Sequence, residues 1–169
     1  MNKQEVVTRA ARIRLVAMDV DGVLTDGGGF YSEEGETLKR FHMRDGMGIV
    51  KLHEAGLLTA IVTTESTAFS TRRAEKLHIA EVHTGITQKL DVLKDMCQRH
   101  QLSLTEVCFI GDDINDLEAL KAVGFACSVA DGSEGPRQAS HYVTTAKGGQ
   151  GAVREVCDLI LRAKADNPG

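Results

Sequence analysis

The sequence predicts a three-layer α/β/α fold, a Rossmann-like parallel sheet with a β-hairpin inserted after the first strand. Three observations carry that prediction. Short apolar runs stop at acids or glycine, the pattern of strands buried on both faces. Segments of helical periodicity lie between those runs, and strands alternating with helices build a parallel sheet covered on both sides. One glycine-rich stretch, residues 27–42, breaks the alternation and has hairpin character.

The elements follow in order. After a charged stretch from Arg9 to Arg14, residues 13–18 are the first strand. Gly27-Gly28-Gly29 to Phe41 reads as the hairpin, with Phe30-Tyr31 and residues 38–41 as its strands around a Glu34-Gly35 turn. Met47, Val50, Leu52 and Ala55 mark a helix that stops near Gly56. Residues 59–63 repeat the strand pattern, and Ser66 or Thr67 opens a helix over 66–77 as its N-cap. Residues 81–83 are a weaker strand, followed by a helix marked by Leu90, Leu93 and Cys97. Residues 107–110 are the third clear strand, with a helix carrying Leu117 and Leu120 behind it. Weaker strands at 125–129 and 141–144 precede a last helix over 153–161.

At 169 residues, without repeats or a Pro/Ser-rich linker, residues 1–169 read as one domain with a sizeable core. Apolar residues at 42% and charged residues at 26% fit a soluble protein. The net charge of −4 includes no basic block, and aromatics are scarce, with five Phe, two Tyr and no Trp to build a stacking platform, so nucleic acid is not expected as a partner. The apolar run after Arg14 is short and broken by Asp19, so neither a signal peptide nor a membrane span is expected. Cys97, Cys108, Cys127 and Cys157 form no CxxC pair; they read as reduced, buried thiols and imply a cytoplasmic setting.

The chemistry lies at the strand ends. In a parallel sheet, residues just past the C-terminal end of each strand project into a common crevice. Asp19 and Asp21 follow the first strand, and Thr63 and Thr64 the second. Asp112 and Asp113 follow the third through Gly111, with Asp116 one helical turn on, and Lys89 opens the helix after Gly85. Crowded carboxylates raise one another's pKa unless a cation intervenes. A hard cation is therefore expected, and Mg²⁺ suits a site of few carboxylates shared with water and phosphate. A lysine and hydroxyls beside it make a phosphate site. Asp19 can attack phosphorus, while Asp21 can protonate the leaving oxygen and then activate water. Each feature alone is commonplace, since most acids past strands are caps or turns. Their joint, ordered placement is what points to a site.

Those residues resemble the haloacid dehalogenase superfamily of phosphotransferases. Asp19-Val20-Asp21-Gly22-Val23-Leu24-Thr25-Asp26-Gly27 looks like its nucleophile motif, and Thr63, Lys89 and Gly111-Asp112-Asp113-x-Asn115-Asp116 match its other three. The resemblance implies Asp19 as nucleophile and Asp21 as acid/base, with Thr63, Thr64 and Lys89 on the phosphoryl group. It implies Mg²⁺ held by Asp19, the Asp21 backbone carbonyl and Asp112, with Asp113 and Asp116 in support. The hairpin in place of a cap, residues 41–49 and residues 148–155 resemble the capless group that dephosphorylates 3-deoxy-2-keto sugar acid phosphates. That likeness implies a homotetramer whose subunits close one another's active sites.

Two substrate branches of the group compete. The eight-carbon branch, acting on 3-deoxy-manno-octulosonate 8-phosphate, usually has Thr-Gly-Arg after the second strand. The nine-carbon branch, acting on deaminoneuraminate or N-acylneuraminate 9-phosphate, tends to have Glu at the Arg position and then a basic helix. Here Thr63-Thr64-Glu65 precedes Arg72-Arg73-Ala74-Glu75-Lys76, which favours nine carbons; Thr64 stands where both branches usually have Gly. Residues 141–159 look more like the eight-carbon enzymes. A sugar acid's carboxylate wants a cation, and Arg73 and Lys76, at helical spacing, are the candidates unless they form an ordinary solvated face. Glu65 would accept hydrogen bonds from hydroxyls or an amide unless it only complements a helix dipole, and His42 is a further candidate substrate contact. Three other classes fit the residues less well. A phosphoacceptor receiver domain would lack the hairpin and the Asp19/Asp21 pair. An inactive oligomerisation module of a sugar-nucleotide pathway should have lost acids that are all present here. A dinucleotide-binding domain would need GxGxxG where Gly27-Gly28-Gly29 stands.

Overall fold

The structure, a computed structural model, describes residues 2–166. Its first half runs α1 (Lys3–Ala11), β1 (Leu15–Met18), β2 (Phe30–Ser32), β3 (Gly35–Leu38), α2 (Met43–Glu54), β4 (Leu58–Val62), α3 (Ala68–Leu77) and β5 (Glu81–His83). The second half runs α4 (Lys89–Arg99), β6 (Val107–Gly111), α5 (Leu117–Ala122), β7 (Phe125–Ser128), α6 (Glu134–Ala139), β8 (Tyr142–Val143) and α7 (Ala152–Asp166).

Six parallel strands form one sheet in the order β5-β4-β1-β6-β7-β8. All four residues of β1 are buried, and their alternation feeds two cores. Val16 and Met18 face a cluster built with α1, α2, α3 and α7; Leu15 and Ala17 face one built with α4 and α5. Helices on both faces explain why the strands read as unbroken apolar runs. After β1 the chain builds outward through β4 and β5, then returns to lay β6 on the other side of β1. That reversal opens the crevice between β1 and β6, where α/β sheets bind their ligands.

The hairpin departs from the expected register. Its second strand is Gly35–Leu38 rather than residues 38–41, because Ser32 pairs with Gly35 across Glu33 and Glu34. Lys39 and Arg40 leave the ladder and pair instead with Asp21 and Asp26. Two helices were not expected from the sequence. In α1 only Val6 and Ala10 are buried within a charged stretch, so its apolar stripe is thin. In α6 the Gly135-Pro136 pair looks like a breaker, yet Pro136 sits in the first turn, where an N–H has no intrahelical partner. The four cysteines are buried and free. Among the described residues, no helix is long and apolar enough to cross a membrane.

Candidate active site

The site is assembled at the C-terminal ends of three adjacent strands. The Asp19 amide donates to the Ile110 carbonyl at 3.0 Å, which locks the exit of β1 to β6. The Val23, Leu24 and Thr25 amides all turn back onto the Val20 carbonyl, so the chain folds tightly after Asp19. Gly22, at φ +80°, permits that turn; a Cβ there would lie 2.0 Å from an Asp112 carboxylate oxygen. Gly111 similarly lets Asp116 approach the end of β6, where a Cβ would meet it at 2.6 Å.

Lys89, the first residue of α4, is only 2% exposed and lies under the crevice. Its Nζ is 2.8 Å from Asp19 Oδ2 and 2.7 Å from Asp116 Oδ1. The other Asp116 oxygen accepts from the Asp112 and Asp113 amides at 2.8 and 3.3 Å. Asp19 Oδ1 accepts from the Val20 amide at 2.7 Å. One lysine therefore serves two buried acids, with Asp112 a third nearby. Burial raises the Asp19 pKa, Lys89 opposes it, and Asp116 adds to the rise, leaving Asp19 above its ordinary value. Burial also works against the Lys89 ammonium, but Asp19 and Asp116 outweigh it and hold the charge. Asp112 is pushed up to about 7, first by burial and then by Asp116, Asp19 and Asp113.

Carboxylate oxygens of Asp19, Asp112 and Asp116 lie within 4.8 Å of one another, a group that could hold a metal ion. The elevated Asp112 is what a hard cation would relieve, so the donor set fits Mg²⁺. Asp116 already spends both oxygens on Lys89 and two amides. Asp19 has one partner at each oxygen, Lys89 and the Val20 amide, while among the described residues no hydrogen bond reaches the Asp112 carboxylate, the freest donor of the three.

Above this floor is a cavity of about 330 Å³, lined by Asp19, Asp21, Gly22, Gly27, Thr63, Thr64, Glu65, Asp112, Asp113 and Asn115. The strand-end residues read from the sequence are thus gathered in one place, with Lys89 and Asp116 beneath them. Asn115, quoted in the sequence motif without a role, donates to Thr64 Oγ1 at 3.0 Å across the mouth. A residue that sequence reading missed is Lys39, whose Nζ lies 2.7 and 2.8 Å from the two oxygens of Asp21. Its only sequence signal was a charge where the hairpin ends.

The remaining expected substrate contacts do not line this cavity. Arg73 is 7% exposed, stacks 5.3 Å from the Phe41 ring and donates to the His42 carbonyl. It is neither on a solvated face nor open to the crevice, because the loop before α2 covers it. Lys76 is exposed on α3. His42 is the N-cap residue of α2, with Nδ1 3.7 Å from the buried carboxylate of Asp45.

Comparison with known proteins places the chain in a family. Residues 58–156 match the haloacid dehalogenase-like hydrolase family. A 3-deoxy-D-manno-octulosonate 8-phosphate phosphatase of Yersinia pestis is 41% identical over 160 residues, covering 95% of this chain and 86% of the relative. The structure is similar to that of the corresponding Moraxella catarrhalis phosphatase, solved with a magnesium ion, a phosphate ion and a KDO molecule. That likeness has a TM-score of 0.94 and 43% identity over 98% of this chain and 95% of the other. The cobalt-bound Haemophilus influenzae phosphatase is similar at a TM-score of 0.90 and 36% identity, over 93% and 92% of the two chains. The chain belongs to the haloacid dehalogenase-like hydrolases. Within that family it is a phosphoric monoester hydrolase.

Proposed function

We propose that residues 1–169 act as one Mg²⁺-dependent phosphatase domain on a 2-keto-3-deoxy sugar acid phosphate. The leading substrate is the eight-carbon 3-deoxy-D-manno-octulosonate 8-phosphate. The observation that carries this reading is the crevice itself, in which Asp19, Asp21, Thr63 and Asp112 converge over Lys89 in a chain closely similar to phosphatases of that ester. This moves the lead away from the nine-carbon branch favoured on sequence. One observation keeps the nine-carbon ester as a second reading: Glu65 does line the cavity, where the eight-carbon branch usually has Arg.

In the proposed reaction an Asp19 carboxylate oxygen forms a bond to phosphorus as the bond to the sugar oxygen breaks. The electron pair stays on that oxygen, which takes the proton of Asp21. Asp21, now a carboxylate, then accepts a proton from water as the water oxygen attacks phosphorus and the Asp19–phosphorus bond breaks. Lys89 offsets the charge on Asp19 and the phosphoryl oxygens, and the Thr63 and Thr64 hydroxyls donate to those oxygens. Mg²⁺, held by Asp19 and Asp112 with the Asp21 carbonyl, would supply charge neutralisation for the phosphoryl group. Asp113 and Asp116 support that arrangement.

The homotetramer is part of the proposal. It is supported by Phe30, Tyr31 and Leu38, which stand 58%, 74% and 62% exposed on the hairpin. Phosphate release from the eight- and nine-carbon esters, measured with Mg²⁺, tests the reading. A higher kcat/KM for the eight-carbon ester is expected, and a preference for nine carbons would transfer the assignment to the second reading. Release from neither would end both.

A further inference from the structure

We infer that Lys39 is a positioning residue that orients the Asp21 carboxylate toward the leaving oxygen. The inference rests on the reading above, in which Asp21 is the acid/base. Lys39 comes immediately after β3, where the hairpin returns toward the crevice. Although the hairpin is open to solvent, with Tyr31 74% exposed, the Lys39 side chain is 4% exposed. It is folded inward and its ammonium spans both oxygens of Asp21 at 2.7 and 2.8 Å.

Little else holds that carboxylate. Among the described residues its other side-chain partner is the Thr25 hydroxyl at 3.4 Å, a long contact, and the Asp21 side chain is 31% exposed. Lys39 is itself steadied by Glu36 at 3.6 Å. A second cavity of about 240 Å³ lies against this clamp, lined by Tyr31, Glu36, Lys39, Glu65 and Asp21, and it shares Asp21 and Glu65 with the main one. The clamp thus stands where the two cavities meet. A misplacement of about 1 Å in a reacting group costs on the order of 100-fold in rate, so an Asp21 side chain free to rotate would lose much of its value in passing a proton to the leaving oxygen and taking one from water. The hairpin, beyond replacing a cap, would then carry a part of the catalytic geometry.

Leaving-group dependence separates this role from a merely structural one. A sugar alkoxide needs a proton as it leaves, whereas the phenolate of p-nitrophenyl phosphate departs without one. Turnover of the aryl ester by a variant also reports that its nucleophile and fold are intact. In Lys39→Met the ratio of kcat on 3-deoxy-D-manno-octulosonate 8-phosphate to kcat on p-nitrophenyl phosphate should fall roughly 10- to 100-fold, a share of the ~10²–10⁴ that a positioned acid contributes. KM for the sugar ester should change little by comparison, and Lys39→Arg should recover part of the ratio. An unchanged ratio, whether both activities survive or both fall together, would overturn the inference. Asp21→Asn distinguishes the two layers: if it keeps sugar-ester turnover, the acid/base reading fails; if it loses turnover while Lys39→Met keeps the ratio, the Lys39 inference alone fails.

Discussion

At the ends of β1 and β6, Asp19, Asp112 and Asp116 crowd around the single cation Lys89. At the start of β5, on the sheet's edge, the ratio is reversed, and Glu81 alone takes hydrogen bonds from Arg99, His83 and His100. The consequences for protonation are opposite. Asp112 is driven up to about 7, while the Arg99 guanidinium, with His100 and His83, holds Glu81 down to about 2 against the cost of burial. Glu81 is satisfied by the fold. The crevice acids are left short of positive charge, as expected of groups arranged for a cation and a phosphate dianion. What distinguishes the two regions is the balance of charge within reach of each acid.

Four substitutions or treatments would break or sharpen that contrast. The largest effect is expected from Asp19→Asn, which removes the oxygen proposed to attack phosphorus and should lower phosphate release by roughly 10³-fold or more. Excess EDTA should silence the wild-type enzyme and added Mg²⁺ should restore it, read in the same assay; full activity in chelator would remove the metal from the account.

Asp112→Asn should act on stability with an unusual sign. Because the folded pKa of about 7 lies above the ordinary 3.8, ionised Asp112 destabilises the metal-free chain at pH above about 7, and that penalty shrinks as the pH falls toward 3.8. Removing the charge should raise the metal-free Tm at pH 8 by about 2–6 °C, equivalent to ~1–2 kcal/mol after allowance for solvent screening. The gain should be smaller at pH 5, and Mg²⁺ should no longer stabilise the variant. The smallest effect is expected from Glu81→Gln. A depressed pKa contributes stability that is present above the ordinary 4.5 and lost as the pH falls through about 2. The variant should cost about 1 kcal/mol in urea unfolding at pH 7, with turnover preserved.

The crevice was legible in the sequence because its residues obey a positional rule. An acid or hydroxyl just past a buried apolar strand must emerge at the same edge of a parallel sheet. Asp19, Thr63 and Asp112 each follow such a strand, so the chain order alone brings them together. Lys39 followed no such rule. Its approach to Asp21 depends on the hairpin leaving its ladder after Leu38, where Lys39 and Arg40 pair with Asp21 and Asp26. Arg73 shows the same limit: helical spacing aligns it with Lys76, but spacing does not reveal that Phe41 folds over it. Local pattern identified the strand ends, and the contacts made by long side chains across elements had to be seen.

The central claim is that Asp19 accepts the phosphoryl group, and rapid acid quench during turnover with Mg²⁺ tests it most directly. Peptide mass analysis of the quenched protein should find one phosphoryl group on the segment containing Asp19, and none in Asp19→Asn. A phosphoryl group on another residue, or one that persists in Asp19→Asn, would contradict it.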